Sequence, residues 1–451
     1  MTWTVDEADG PQEFCLALAI RTNLARRIVG RRLTRGTLVE RSVSIPDTDG
    51  NSSTELFRVP SSPDPRERLD NGALSIVDMS QGSNVDLGLD FQTLPGEGLK
   101  PPFEAKFNLS RANPDVDRES QMICLGVEST AHTFGASMVD DDGRIITNVN
   151  STYRPPAGVG IHPRKASEHH AAVSDSIIGK AIRSSEGGQF DPDAIAYSAG
   201  PGLGPCLRIG ATVSRALASY LGKPLVPVHH GVAHLDIAMS LGHVRDPLAV
   251  LVSGGHTAIL VHVDRRWRVY GETQDITLGN VLDMFAREAR LPAPGGVSVE
   301  RAAKKGDELL NLPYTVKGND VAYSGLLTAA INLMKQGANL EDVCYSLQEI
   351  AFSMLSEAVE RSLVQTRRNE VLLAGGVAAN SRLKEMIGSI AEDHGASFYP
   401  VPIEYSGDCG AQIACSGSLA FRHGVTVAEQ DSHVTPRWRM DEVDVPWIPR
   451  T

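Results

Sequence analysis

The feature that most constrains this chain is a short apolar run that is followed at once by two histidines four residues apart. The run at 224–228 has the length of a buried strand, and residues 237–239 continue the pattern as a helix. His230 and His234 therefore lie on one helical face, one turn apart. Two neutral imidazoles at this spacing make half of a metal site that still lacks a carboxylate. The same spacing is equally compatible with two partly buried histidines that have only a structural role at a strand-to-helix corner. Other features of the chain are needed to distinguish the two interpretations.

Composition limits the class of partner and the compartment. The chain has 451 residues, and its net charge of -12 argues against a basic nucleic-acid-binding surface over the whole molecule. An RNA or DNA substrate would need a local patch or a basic partner. Six cysteines without a CxxC pair favour a reducing cytoplasm and argue against a zinc ribbon. With no apolar run near the ~20 residues that span a bilayer and no signal region, we expect a soluble cytoplasmic protein without a membrane partner.

Residues 1–121 differ from the rest of the chain. They contain an arginine cluster near Arg26 and several turn-rich stretches, and they show neither a sustained helical period nor a strand period. No chemical motif is visible there. We therefore expect an irregular, poorly ordered N-terminal extension or a mis-assigned upstream start.

From Met122 onward, strands and helices alternate. An apolar strand at 122–128 ends in Glu128 and small hydroxyl residues, and the turn at 140–143 closes a hairpin. This opening resembles the first phosphate loop of the actin-like ATPases, which include sugar kinases and Hsp70. Helical patterns at 166–182 and 207–221 flank a strand at 194–198 that runs into the glycine-rich loop 200–205, where the backbone must turn sharply or approach something closely. The order of elements indicates an α/β architecture.

The second half opens in the same way, with a glycine turn between two strands. The strand at 248–252 leads through Ser253, Gly254 and Gly255 into a strand at 258–263. Successive backbone N–H groups in such a turn can form an anion-binding nest, and glycine lets the backbone close on a phosphate. On the turn alone, a plain hairpin remains the favoured interpretation.

Several later positions are candidates for nucleotide or metal binding. Asp283 and Glu300 could accept hydrogen bonds from ribose hydroxyls, although spacing alone favours acids on a helix surface. The strand at 370–374 is followed by Gly375 and Gly376 and then by a helix at 382–392, which is a close-approach pattern for a nucleotide. Asp408 is either a helix N-cap or the missing metal carboxylate.

Together and in this order, the motifs resemble the universal tRNA threonylcarbamoyladenosine synthase family. Its members are the catalytic subunit of the archaeal and eukaryotic KEOPS complex and bacterial TsaD. The resemblance covers 122–451, and the segment at 160–164 is similar to the archaeal and eukaryotic branch. The matching segments are 126–130, 160–164, 168–170, 199–204, 230–234, 252–255, 279–283, 294–296, 323–326, 375–380 and 408–411.

Two positions depart from the family pattern. Archaeal members usually carry a tyrosine where this chain has Leu251, and that tyrosine can reach the metal. Bacterial members lack it as well, so we expect a changed ligand rather than a lost site. The common Asp-Asn-Gly segment is Asp408-Cys409-Gly410 here, with the carboxylate kept.

The resemblance implies both a fold and an activity. The fold would be two actin-like lobes, at about 122–245 and 246–451, with a nucleotide cleft between them and a C-terminal end that can pack back on the first lobe. The reaction would move a threonylcarbamoyl group from threonylcarbamoyl-AMP to N6 of the adenosine 3′-adjacent to the anticodon, in tRNAs that read ANN codons.

The resemblance also implies the site residues and the cofactor. His230, His234 and Asp408 would bind one divalent metal ion per subunit, with iron favoured and zinc as the alternative. No further catalytic residue follows from the motifs. The residues expected to hold threonylcarbamoyl-AMP are Leu251, Val252, Ser253, Gly254, Gly255, Asp283, Gly296, Glu300 and Asn380.

The expected partners are tRNA and the helper subunits of a KEOPS-type complex. These are a small kinase-like ATPase, a dimerising subunit and a tRNA-binding accessory subunit, and an acidic chain should bind tRNA weakly without them. Rival hypotheses are an actin-like ATPase or sugar kinase, an inert scaffold subunit, and a metallopeptidase. The last lacks support because Gly231, Val232 and Ala233 separate the histidines, where HExxH places its glutamate.

A variant that begins at Met122 is expected to fold and to keep its activity, because members of the family begin at the equivalent methionine. Ordering costs ~1–2 kcal/mol per residue for the backbone alone, and residues 1–121 offer little apolar periodicity to offset it. Mass spectrometry of the native protein should place its N-terminus at or near Met122. An insoluble or inactive variant beside an active full chain would instead identify 1–121 as a domain, such as a fused small partner.

Overall fold

The structure is a computed structural model, and it describes residues 122–156, 159–183 and 191–448. The expectation for 1–121 therefore lies outside the described residues. The first half contains a five-stranded sheet in the order β3-β2-β1-β4-β5, in which β1 to β3 are antiparallel and β4 and β5 run parallel to β1. Its elements are β1 Ile123–Glu128, β2 Thr133–Asp140, β3 Ile145–Thr152, α1 Pro163–Ile182, β4 Ala194–Gly200, α2 Gly204–Leu221, β5 Leu225–His229 and α3 His230–Gly242.

The second half contains another five-stranded sheet, in the order β12-β11-β6-β7-β8, beside a two-stranded hairpin. Short 3₁₀ turns at Gly376–Ala379, Glu429–Asp431 and Met440–Glu442 complete it. Its elements are β6 Leu248–Val252, β7 Thr257–Val263, β8 Arg266–Glu272, α4 Leu278–Glu288, α5 Gly295–Ala303, β9 Val316–Lys317, β10 Asp320–Val321, α6 Ser324–Lys335, α7 Leu340–Thr366, β11 Glu370–Ala374, α8 Ser381–Asp393, β12 Ser397–Pro400, α9 Ile403–Ser406 and α10 Gly410–Arg422.

The two large sheets share one topology. In each, three antiparallel strands form a meander, and two later strands join in parallel beside the first strand of the meander. The parallel strands arrive through helices, as crossover connections require. The α/β prediction is confirmed, and the chain contains the same sheet twice.

Helix α3 is buried from His230 to Ala238 because it packs against both sheets. Val232 and Leu235 belong to the core of the second sheet, Ala233 belongs to the core of the first, and Ile237 packs on α10. A helix that is apolar on all sides is typical of a buried position rather than a surface one. The element that carries the two histidines is therefore held from several directions.

Helix α10 returns the chain to the first sheet, where glycines allow a very close approach. A Cβ on Gly126 of β1 would meet the backbone nitrogen of Ala414 at 2.1 Å, and one on Gly417 would meet the Ala196 side chain at 2.3 Å. Gly410, at the start of α10, lies equally close to the backbone of Ala136. The C-terminal helix therefore lies directly on the face of the first sheet.

Several boundaries differ from the sequence predictions. Helix α1 begins at Pro163 rather than at 166, because proline suits the first turn of a helix. Helix α6 was not predicted. Asp408 is not an N-cap: α10 begins at Gly410, and its N-cap is Cys409. Within the described ranges, no helix is both long enough and apolar enough to cross a membrane.

Replacing Asp236 with Asn should stabilise the fold at neutral pH. Asp236 is buried on α3, where it accepts hydrogen bonds from Ser416 Oγ at 2.6 Å and Trp447 Nε1 at 3.0 Å. Burial raises the pKa of this carboxyl from 3.8 to about 6. The folded state therefore holds the proton more tightly than the unfolded state, and stability is lost as pH rises from about 4 through 6. Asp236→Asn should gain up to about 2–3 kcal/mol at pH 7.5.

The measurement is urea unfolding of both proteins at pH 4 and pH 7.5. Other groups titrate identically in the two chains, so the difference between them isolates Asp236. The advantage of the variant should shrink toward zero at pH 4. An advantage that does not depend on pH would contradict the raised pKa.

Candidate metal centre and nucleotide site

The structure brings His230, His234 and Asp408 together. Both histidines lie on α3 and are buried, and Asp408 lies just before α10. Asp408 Oδ1 is 3.5 Å from His230 Nε2 and 3.4 Å from His234 Nε2. One ligand atom from each residue lies within 4.8 Å of the other two. The close packing of α10 on the first sheet positions the carboxylate here.

The cluster has the charge balance of a cation site. Burial opposes it, but the carboxylates of Glu128 and Asp408 raise the pKa of His230 to about 10. Burial also opposes the shift at Asp408, yet His230 and His234 hold the pKa of its carboxyl well below the usual range. A proton on His230 thus occupies the position that a metal ion would take, since metal binding to histidine displaces a proton.

His234 supplies a second ligand atom, Nε2, that is not engaged in a hydrogen bond among the described residues. Burial lowers the pKa of its imidazole, so the ring is neutral at pH 7. Its Nε2 is buried and makes no hydrogen bond within the described part of the chain. Two imidazole nitrogens and one carboxylate oxygen suit a divalent transition metal, and the residues present therefore fit the ion that the family resemblance implies.

His229 fixes the start of the histidine helix. Its Nδ1 accepts a hydrogen bond from the Val232 amide at 3.2 Å, which caps α3. Its Nε2 lies 3.2 Å from the Trp438 carbonyl oxygen, an acceptor, so Nε2 carries the proton. The next residue along the chain is His230, and its backbone is held by this cap.

Two residues beside the cluster were not predicted as parts of a metal centre. Glu128, at the end of β1, accepts a hydrogen bond from His230 Nδ1 at 3.0 Å. His256, after the glycine turn, has a buried Nδ1 without a hydrogen-bond partner in the described ranges. Burial, followed by the charges of His230 and His234, lowers the pKa of His256 to about 4. The sequence showed both residues next to strand ends, but it did not show which side chains turn inward.

The glycine turn lies at the end of β6, next to this cluster. The Ser253 hydroxyl accepts hydrogen bonds from the amides of Gly255 at 3.2 Å and His256 at 3.0 Å. The space around the Cβ position of Gly254 is open, with no atom within 4 Å. The turn therefore combines a fixed shape with a free face, which suits the phosphate-binding role predicted for it.

Two further glycines bring neighbouring elements against the turn. A Cβ on Gly279 of α4 would meet the Ser253 carbonyl oxygen at 2.5 Å, and one on Gly375 would meet the Val252 oxygen at 2.3 Å. Gly375 also has φ 95°, which favours glycine. Gly376 faces open space. The first turn of α4 and the double-glycine loop thus converge on the end of β6. The approach of a nucleotide to Gly375 and Gly376 remains a prediction.

The remaining predicted nucleotide contacts already hold parts of the second half together. Asp283 accepts a hydrogen bond from the Gly295 amide at 3.0 Å, at the start of α5, which contains Gly296. Glu300 accepts from the Ser381 amide at 3.2 Å. Asn380 caps α8 through its side-chain oxygen and donates to Gln348 Oε1 at 3.0 Å.

Leu251 and Val252 are fully buried on β6 and belong to the core of the second sheet. Leu251 pairs in register with Ala258 and Ala374 on the neighbouring strands. Contacts between any of these predicted residues and a nucleotide remain a prediction.

Comparison with known proteins decides the family. A family model described as tRNA N6-adenosine threonylcarbamoyltransferase, TsaD, matches residues 144–415. A relative of that name from Caldivirga maquilingensis is 49% identical over 330 residues, which are 73% of this chain and 99% of the relative. One from Pyrobaculum neutrophilum is 51% identical over 327 residues, 72% of this chain and 97% of the relative. The chain belongs to the tRNA N6-adenosine threonylcarbamoyltransferase family.

Membership of the threonylcarbamoyltransferase family confirms the resemblance stated from the motifs. The duplicated sheets and the helices between them form a mixed α/β fold with two large sheets, as the resemblance implied. Among solved structures, HypF from T. kodakarensis aligns with a TM-score of 0.46 at 15% identity, over 67% of this chain and 48% of that chain.

Removing both histidines should remove the metal from this threonylcarbamoyltransferase. The variant His230→Ala, His234→Ala leaves one carboxylate, which cannot compete with a chelator for a divalent ion. Bound metal, measured by mass spectrometry of the element after dialysis, should fall from about one ion per chain to near zero. His394→Ala is the matched control, because His394 is exposed and pairs with Glu360 at the surface. A full complement of metal in the double variant would refute the assignment.

Proposed function

We propose that this chain transfers the threonylcarbamoyl group from threonylcarbamoyl-AMP to N6 of the adenosine 3′-adjacent to the anticodon, in tRNAs that read ANN codons. Family membership supports this proposal, since the relatives carry the name of that transferase. In the reaction, the N6 nitrogen forms a bond to the carbamoyl carbon, the bond from that carbon to the phosphate oxygen breaks, and AMP leaves. The proton of the amine is released.

The observation that carries the proposal is the adjacency of two different sites. Val232 and Leu235 of the histidine helix share one hydrophobic core with Leu251 and Val252, the strand residues just before the Ser253–His256 turn. The cluster of His230, His234 and Asp408 therefore lies beside that turn, and its charges act on His256. A donor that is a mixed anhydride of carbamate and phosphate needs an anion pocket next to its reacting carbonyl. The turn offers the anion pocket, and the cluster lies where the reacting carbonyl would be.

Each group in the site has a definite task in this proposal. The turn at Ser253, Gly254 and Gly255 holds the adenylate phosphate at its open face beside Gly254, where the Gly255 amide would exchange the Ser253 hydroxyl for the phosphate. His230, His234 and Asp408 would hold the metal, which when bound would supply Lewis-acid polarisation of the transferred carbonyl or orientation of the leaving phosphate. Iron is the metal that the family resemblance favours, with zinc as the alternative. His256, neutral at pH 7, lies at the end of the turn with a buried Nδ1 that has no hydrogen-bond partner among the described residues.

The adenosine part of the donor would lie along the second sheet. Asp283, Gly296, Glu300 and Asn380 lie around the starts of α5 and α8, where the side chains of Asp283, Glu300 and Asn380 hold the fold. The tRNA must present its N6 amine from an unstacked anticodon loop, as single-stranded recognition allows.

Helper subunits are part of the proposal. The net charge of -12 makes strong binding of tRNA phosphates by the chain alone unfavourable. A KEOPS-type assembly would supply the basic surface through a tRNA-binding accessory subunit, beside a dimerising subunit and a small kinase-like ATPase. A cytoplasmic location follows from the tRNA substrate, and the described cysteines, all free and buried, are compatible with a reducing compartment.

The rival activities find less support in the geometry. A metallopeptidase needs a free carboxylate as general base, but both oxygens of Glu128 are engaged, one by His230 and the other by Thr130. A sugar kinase or an actin-like ATPase shares the fold without needing a histidine pair beside its phosphate turn. An inert scaffold subunit would need neither the histidine pair nor the phosphate turn.

The transfer assay supplies an unmodified tRNA transcript, threonylcarbamoyl-AMP from a separate enzyme and the helper subunits of an archaeal relative. The full chain should form threonylcarbamoyladenosine, detected by mass spectrometry of the digested nucleosides. Asp408→Asn should lower the rate by about 100-fold or more, because it removes a metal ligand. Glu404→Gln is the control, since this exposed acid lies in the same segment and outside the cluster.

Two results would contradict the proposed transfer. The first is a chain that hydrolyses ATP or phosphorylates sugars without tRNA and forms no modified nucleoside. The second is an Asp408→Asn variant that is as active as the wild type, which would detach the metal cluster from the reaction.

A further inference from the structure

Glu128 is a buried carboxylate whose two oxygens are both committed. It is 0% exposed at the end of β1. Oε2 accepts the hydrogen bond from His230 Nδ1 at 3.0 Å, and Oε1 accepts from the Thr130 amide at 2.6 Å and from the Thr130 hydroxyl. Among the ion pairs of the described residues, the partner of Glu128 is His230. The carboxylate is therefore aimed at one ring nitrogen of a predicted metal ligand.

A carboxylate that contacts Nδ1 decides which nitrogen of His230 can bind a metal. An ionised carboxylate only accepts hydrogen bonds, so Nδ1 carries the proton. A neutral imidazole has a single N–H, and the lone pair is then on Nε2. Nε2 is the nitrogen that lies 3.5 Å from Asp408 Oδ1. The contact also fixes the plane of the ring, because a hydrogen bond at one nitrogen restricts rotation at the other.

The loop that holds Glu128 is itself held by the glycine-rich segment before α2. The Leu203 amide donates to the Thr130 carbonyl oxygen at 2.7 Å. A Cβ on Gly202 would meet the same oxygen at 2.6 Å, so only glycine allows this approach. The Thr130 amide that anchors Oε1 is therefore fixed in place, and the carboxylate has one orientation.

We propose that Glu128 is a positioning residue of the metal centre, which orients His230 so that Nε2 is the ligand atom, and that the Thr130 hydroxyl and amide orient Glu128 in turn. The resemblance of the loop after β1 to the first phosphate loop of actin-like ATPases suggests that it contacts a phosphate. In this proposal the loop instead supports the metal site. The inference rests on the proposed metal site and adds to it a residue that acts through a ligand.

Binding of Co²⁺ to the metal-stripped full-length chain tests the inference. The visible absorption of bound Co²⁺ reports the number and geometry of the ligands around the ion. Dissociation constants are measured in competition with a chelator. Glu128→Gln should weaken binding by about 10- to 100-fold, as loss of a carboxylate partner of a ligating histidine does, and should change the absorption spectrum. Thr130→Val keeps the carboxylate but removes one of its donors, and should weaken binding by less, about 2- to 10-fold.

The matched control is Asp236→Asn. Asp236 is also a buried carboxylate with two hydrogen-bond donors, and it lies on the same helix as the histidines, but its partners are Ser416 and Trp447 rather than a ligand. It should bind Co²⁺ as the wild type does, with the same spectrum. If Co²⁺ affinity fell only because a buried carboxylate was disturbed, Glu128→Gln and Asp236→Asn would lose affinity equally.

The outcomes separate this inference from the metal site on which it rests. If the wild type binds Co²⁺, His230→Ala abolishes binding, and Glu128→Gln binds within twofold of the wild type with an unchanged spectrum, the positioning role is wrong and the metal site stands. If the wild type binds no Co²⁺, the metal site fails and the inference fails with it. Should Glu128→Gln not fold, an unchanged affinity in Thr130→Val overturns the proposal.

Discussion

The close packing of helix α10 on the first sheet is the contact on which the candidate site depends. Gly126 and Gly410 bring the backbones of α10 and the sheet to within 3 Å of where a side chain would begin. Asp408 lies two residues before this helix, so the position of α10 sets the position of the carboxylate. Any side chain at Gly126 would push α10 away and would move Asp408 from the histidines. The metal centre is thus built by tertiary packing, and its ligands come from distant parts of the chain.

The duplicated sheet explains why two loops meet at this centre. The first strand of each meander ends in a short loop, after β1 in the first sheet and after β6 in the second. The loop after β1 contributes Glu128, and the loop after β6 contributes the Ser253–His256 turn. Helix α3 packs against the cores of both sheets and carries the histidines between these loops. Equivalent positions of one repeated topology have therefore taken different tasks, one supporting a ligand and the other offering a phosphate site.

Much of the fold could be predicted from the sequence because the strands are short apolar runs bounded by glycine, proline and polar turns. The strands at 248–252 and 370–374 have the predicted bounds. Helix α6 was missed because its first residues, Ser324 and Gly325, favour turns over helices. The residues alone left Asp408 as either a helix N-cap or the missing metal carboxylate, and the family resemblance favoured the carboxylate, since spacing along the chain does not show which loops meet.

Side-chain direction is the part of the site that the sequence could not supply. Asp283, Glu300 and Asn380 were expected to contact the adenosine, yet their side chains hold the starts of α5 and α8. An acid or amide near a helix start satisfies backbone N–H groups at least as readily as it binds a ribose. The close approaches at Gly279 and Gly375 pack the start of α4 and the loop before α8 against the end of β6. The residues that hold these elements and the residues expected to touch the donor are therefore partly the same. A substitution at Asn380 would disturb α8 before it reported on nucleotide binding, whereas the open face at Gly254 tests the phosphate contact without removing a cap.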